Sequence, residues 1–288
     1  MITFIQALVD GVLVGGVYGV IAVGLSVVFG VLGIVNFAQA EFMMLGMYVA
    51  WFAWRYLGLD PLIGAGLSFV VVFVIGALVQ RFLIERVLKG PNVAQIFLTV
   101  GILIVLENSA LLLFGSDNRS VKTAYQTEAL KIGELFVSVP YLAAFIAAIV
   151  VSAVLWLVLT HTWIGRAIRA TAQNPMAASI FGVDTKMVYA IAFGLGTGLT
   201  AFGGGIVLSY SSVSPTSGGQ YIVLMFTVVV LGGLGSVMGA LAGGLIVGII
   251  QSLSTLAMPI QLQNLALFTI FIALLAFRPQ GLLGKISR

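Results

Sequence analysis

Residues 139–160 read VPYLAAFIAAIVVSAVLWLVLT, a run without a single charged side chain. As a helix rising 1.5 Å per residue, it is long enough to cross the roughly 30 Å of hydrocarbon in a bilayer. Eight further apolar runs lie at about 12–34, 37–54, 62–80, 93–114, 188–208, 220–231, 237–256 and 263–277, with Gly, Pro, Asn or charge at their ends. Of 288 residues, 61% are hydrophobic and only 8% charged, against roughly a quarter charged in soluble domains. So much apolar surface calls for lipid as its solvent. Open sheet edges cannot sit in hydrocarbon. The reading is therefore an all-α polytopic transmembrane bundle of about eight or nine spans, residues 1–288 as one domain, with room for a broken or re-entrant helix. No Lys or Arg precedes the first run and no small-residue cleavage site follows a short one, so the first run is expected to be a retained span rather than a signal peptide.

The net charge of +4 does not point to nucleic acid, because the thirteen Lys and Arg sit in short segments between apolar runs rather than on one basic face. With no cysteine there is no disulfide framework or metal thiolate, the single His161 cannot build a zinc site, and no metal is expected. No acid–base pair or nucleophile triad stands at usable spacing, so an enzyme is not expected.

Charge also orients the chain. Segment 81–92 carries Arg81, Arg86 and Lys89 against Glu85. Segment 161–187 carries Arg166, Arg169 and Lys186 against Asp184, and the tail carries Arg278, Lys285 and Arg288 with no acid. The polar stretch 115–138 is balanced, with Arg119, Lys122 and Lys131 against Asp117, Glu128 and Glu134. The positive-inside rule puts the first three in the cytoplasm and 115–138 outside. An even number of spans must then separate 161–187 from the tail, which puts the loop at 209–220 outside. Run 220–231 spans only about 18 Å, so it either starts inside that loop or is a broken half-helix. The N-terminus is expected outside, with residues 2–10 as a possible separate interfacial piece.

Gly11, Gly15 and Gly19 recur every fourth residue in the first span, and Gly235, Gly239 and Gly243 repeat the device late in the chain. Small residues at this spacing let helix backbones approach closely. They serve packing within the chain or a subunit interface. Their presence in both halves hints at an internal repeat, although no residue-by-residue match joins the halves.

Polar groups in hydrocarbon are costly, so each is a candidate for the solute path. Asn36, Gln39 and Glu41 cluster where the first two runs join, and Asn36 and Gln39 can share a helical face while Gln39 and Glu41 cannot. The alternative is that Asn36 caps a helix and Glu41 lies at the membrane surface. Glu107 interrupts the fourth run beside Asn108, and a carboxylate there must be paired, protonated or facing water. Ser214 and Gln220 belong to a loop rich in hydroxyls and glycine that either faces solute or is a solvated turn.

In segment 161–187, Asn174 suits an N-cap, Pro175 the first helical position and Gly182 a C-terminal stop. A helix of about two turns over 175–181 follows, with Met176 and Ile180 on one side, and Arg166 and Arg169 share a face just upstream. Such a helix between two spans fits a partner's groove or rests on lipid headgroups.

Four stretches now stand out in order: GIVNFAQAEFMMLG at 33–46, GRAIRATAQNPMAASIFGVD at 165–184, VLGGLGSVMGALAGG at 230–244 and RPQGLLG at 278–284. With them the whole chain resembles the permeases of ABC importers for branched-chain amino acids, except that Ala40 stands where the family pattern has Gly. The resemblance implies a bacterial inner-membrane subunit that pairs with a second, paralogous permease. It implies two cytoplasmic ATPase subunits, which hold the ATP and Mg, docking on 165–184 as a coupling segment. Within it, Arg166, Arg169, Asn174, Pro175, Ala177, Ile180, Gly182 and Asp184 would carry the coupling. A periplasmic binding protein would deliver solute. Relatives of the same type carry urea, short amides or organic and aromatic acids. This chain has no G-x-x-x-x-G-K-[ST] phosphate loop, so an ATP-driven mechanism needs another polypeptide. An ion-coupled carrier using Glu41 or Glu107, and a passive pore, are the rival transport classes.

Overall fold

The computed structural model describes residues 2–88, 90–257, 262–277 and 281. Its helices are α1 (Ile2–Leu32), α2 (Gln39–Leu57), α3 (Pro61–Val79), a π-helical turn (Gln80–Ile84) running into α4 (Glu85–Val87), α5 (Asn92–Phe114), α6 (Val139–His161), α7 (Trp163–Gln173), α8 (Pro175–Ile180), α9 (Thr185–Val207), α10 (Ser217–Gly232), α11 (Val237–Ala257) and α12 (Gln263–Phe277). Each of the nine apolar runs falls on one of these helices. Six of them are long and apolar enough to cross a membrane, the third by continuing from Pro61 to Val87. Helix α2 is 19 residues long but contains Gln39, Glu41 and Arg55. Helices α10 and α12 have 16 and 15 residues. α10 starts at Ser217, inside the polar loop, and still reaches only about 24 Å. Residues 2–10 are continuous with α1 and do not form a separate piece.

Among the described residues, strands occur only in loops. β1 (Arg119–Ser120) pairs antiparallel with β4 (Ser212–Val213), and β2 (Ala129–Ile132) forms a hairpin with β3 (Leu135–Ser138). The all-α bundle read from the sequence stands, and these short strands lie in its connecting loops, where water can satisfy a sheet edge. The β1–β4 pair joins loop 115–138 to loop 209–220, in keeping with both lying on one side of the membrane. The guanidinium of Arg119 lies 4.6 Å from the centre of the Trp51 ring and holds the same loop against α2. The hydroxyl of Tyr125 donates at 2.7 Å to Asp60, whose other oxygen accepts from the Leu62 N–H and caps α3. Burial, then the Asp60 carboxylate, raise the Tyr125 hydroxyl above the ordinary tyrosine range.

Helices α1 and α9 form the centre, while α5 and α6 expose most of their surface. The most extensive helix pair is α1 with α11. There a β-carbon on Gly11 would meet Gly248 and Ile249, and one on Gly15 would meet Gly244 and Leu245. Gly19 faces Leu241. The first glycine row therefore packs within the chain. The later row reads differently from expectation. Gly239 and Gly243 face α10 at Gly232 and Val228, and the partners of α1 are Gly244 and Gly248. Gly235 is not on a helical face at all: it precedes α11 in a turn with φ +81°, a conformation that suits glycine, and lies against Gly30.

Candidate functional site

The joint between α1 and α2 is a sealed polar knot. Asn36 Oδ1 accepts from the Ala38 N–H at 3.1 Å, and Asn36 Nδ2 donates to Gln39 Oε1 at 2.8 Å. Gln39 Nε2 donates to Thr200 Oγ1 at 2.7 Å and to the Gly196 carbonyl at 3.1 Å. The Thr200 hydroxyl then donates to the Ile21 carbonyl at 3.0 Å. Asn36 precedes α2 rather than sharing a helical face with Gln39, and the groups of both are spent on tying α1, α2 and α9 together. Neither lines any of the cavities described below.

Glu41 lies two residues beyond Gln39, on another face of α2, and differs from it. It is 1% exposed, which disfavours the alternative of a carboxylate open at the membrane surface. Its Oε2 has no hydrogen-bond partner. The carboxyl sits against the backbone of Gly218, where any side chain would collide with it. Glu107 on α5 is half-buried. Its neighbour Asn108 is exposed and donates to the Ile104 carbonyl at 2.8 Å. Ser214 shapes the turn into α10: its N–H donates to Ser217 Oγ at 2.9 Å, and its carbonyl accepts from the Ser217 N–H at 3.0 Å.

On the other side of the first α10 turn opens a cavity of about 380 Å³, within the size range of small-molecule sites. Tyr18 of α1, Gln220 and Tyr221 of α10 and Gln251 of α11 supply its polar groups, and Leu224 and Leu267 supply apolar wall. Tyr18 and Gln251 face this one space from α1 and α11. Behind them Tyr141 and Tyr210 meet edge-to-face with centroids 4.6 Å apart. No Asp, Glu, Lys, Arg or His occurs between Lys186 and Arg278, so α9 to α12 bring this vestibule only neutral groups. Of the residues singled out in the sequence, Gln220 alone lines it. Tyr18, Tyr221 and Gln251 were missed. Tyrosine and glutamine at isolated positions in apolar runs were the available signal, but what brings them together is the packing of α1 on α11.

A second site forms at the opposite end of α6. Thr162 caps α7, its hydroxyl accepting from the Gly165 N–H at 3.1 Å. Asn174 caps α8, its Oδ1 accepting from the Ala177 N–H at 3.0 Å, with Pro175 at the first position. Gly182 ends the segment with φ +83°. Asp184 caps α9 through the N–H groups of Lys186 and Met187. Arg166 and Arg169 are both exposed on α7. Met176, Ile180 and Phe181 are 75%, 76% and 87% exposed and form an apolar prow. Lys186 reaches Glu85 at 2.9 Å, and Arg81 reaches the same carboxylate at 3.0 Å, so the start of α9 is tethered to the π-turned end of α3. The tail stretch 278–284 lies outside the described residues except for Gly281, which packs against Val230 and Gly233.

Comparison with known proteins agrees with this architecture. A family described as "Branched-chain amino acid transport system / permease component" matches residues 7–276. The high-affinity branched-chain amino acid transport system permease protein BraD of Pseudomonas aeruginosa is 29% identical over 98% of this chain and 96% of its own. The permease protein LivH of the corresponding Escherichia coli K12 system is 30% identical over 98% and 96%. The ribose import permease protein RbsC of Haemophilus influenzae is 30% identical over 63% of this chain and 58% of its own. No solved structure is significantly similar to the chain.

Proposed function

The chain belongs to the permease-component family of branched-chain amino acid transport systems, and from that premise we propose how it works. It is a multi-pass membrane subunit of an ABC importer and not an enzyme. Its cargo is a branched-chain or similarly small hydrophobic amino acid, which the binding partner releases on the side of loops 115–138 and 209–220. Urea, short amides and organic acids are the alternative cargoes. The solute enters by the vestibule of Tyr18, Gln220, Tyr221 and Gln251. A second permease subunit completes the path.

Segment 161–187 faces the cytoplasm and receives the ATPase subunits, which carry ATP and Mg. The observation that supports this reading is the capped helix α8, which holds Met176, Ile180 and Phe181 out of the molecule between two spans. Large apolar side chains presented on a rigid helix suit a partner's groove. Closure of the ATPases would push α8. The caps at Asn174 and Asp184, and the Lys186–Glu85–Arg81 tether, would pass that movement to α9 and α3. Alternating access follows if the helices around the vestibule rock on the α1–α11 seam.

The absence of cysteine gives a clean test. With single cysteines at Lys131 and Met176, an impermeant maleimide added to intact cells should label the first and not the second. Labelling of Met176→Cys from outside would overturn the orientation. Solute uptake by the isolated chain under a proton gradient would favour the ion-coupled carrier instead.

A further inference from the structure

At the α7 end of the molecule, α1, α6, α7 and the turn before α11 enclose a crevice of about 270 Å³. Three features of its wall are unusual together. Arg169 stands at it, and among the described residues the ion pairs are Arg81–Glu85 and Lys186–Glu85, so Arg169 has no carboxylate partner. Ser26 also lines it, fully buried, and its Oγ has no hydrogen-bond partner. The rest is mostly apolar, including Leu159 and Met238. Trp156 lines the crevice, and Trp163 is exposed at the start of α7; indole rings settle at the membrane–water boundary, which sets the depth of the site at the lipid headgroups.

We infer that this crevice binds one anionic phospholipid. The phosphate would take a charge-assisted hydrogen bond from Arg169. An ester carbonyl, several bonds deeper along the glycerol, offers the acceptor that the Ser26 hydroxyl lacks; a buried hydroxyl without one costs free energy. An acyl chain covers Leu159 and Met238. A free phosphate would satisfy only the first of these, and phosphatidylcholine would bring its choline cation beside Arg169 along with the phosphate. Basic pockets between spans on the cytoplasmic side are a known setting for anionic headgroups. The inference does not depend on what the vestibule transports.

The test is lipid retention by the purified transporter, read by native mass spectrometry after exposure to equal phosphatidylglycerol and phosphatidylcholine of matched chains. The native chain should retain phosphatidylglycerol over phosphatidylcholine by roughly fivefold, the preference one basic side chain confers near a surface. Arg169→Gln should bring the ratio to about one, while Arg169→Lys keeps most of it. Thr160→Phe, a change at an exposed position on the crevice wall, should displace both lipids and decides the matter should Arg169→Gln misfold. Equal retention of the two lipids by the native chain, an unchanged ratio in Arg169→Gln, or unchanged retention in Thr160→Phe would overturn the site. So would full displacement of phosphatidylglycerol by millimolar inorganic phosphate, which would make it a free-anion site.

Discussion

Single side chains divide into those already spent and those with capacity left over. Gln39 is spent: one amide serves Asn36, Thr200 and the Gly196 carbonyl. Gln39→Leu leaves those groups buried and unpaired, and should lower stability by about 1–3 kcal/mol, read as a fall in the thermal midpoint of the purified protein. Gly24 faces the same knot, and a β-carbon there would strike the Gly196 carbonyl and Thr200. Gly24→Ala should therefore cost about 1–3 kcal/mol by overpacking, in the same measurement. Glu41 has an oxygen without a partner, so Glu41→Gln should be far better tolerated than Gln39→Leu. The sequence made the Asn36–Gln39 pairing legible because the two are three residues apart, although Asn36 sits in the turn before α2 and not on its face. It could not show Thr200, 161 residues from Gln39 along the chain, because threonine in an apolar run most often bonds its own helix. Nor could it show that Glu41 is buried, since that depends on how α10 approaches over Gly218.

Elements were the most legible scale. Nine apolar runs became nine helices, and Asn174, Pro175 and Gly182 delimited α8 because capping is chemistry between near neighbours. Asn174→Ala should cost about 1 kcal/mol of local helix stability, visible as faster amide exchange over 175–180. Ile180→Glu should abolish co-purification with the ATPase while shifting the thermal midpoint little, since exposed substitutions usually fall within about 0.5 kcal/mol. Binding that persists would show that the prow is not the docking element. The short strands escaped the sequence reading for the reason that α8 did not: β1 and β4 are two residues each, and their pairing joins positions that no local pattern relates.

Across the whole molecule the deciding contact is the seam of α1 on α11. Glycine spacing announced that α1 packs closely. It did not identify Gly244 and Gly248 as the counterparts, because three glycines at the same spacing just upstream matched equally well until their turn and their α10 contacts were known. Gly248→Leu would drive a side chain into the backbone of Gly15 and should abolish the folded, monodisperse protein, whereas Gly66→Leu, with open space around its α-carbon, should leave it intact. The seam also has a history in the making of the protein. Ribosomes add roughly 5–20 residues per second, so α1 enters the bilayer about 12–47 s before its glycines can meet Gly248. For that interval the first-born helix is an orphan in lipid, and a chain arrested before α11 would offer its bare glycine stripe to the proteases that patrol the membrane.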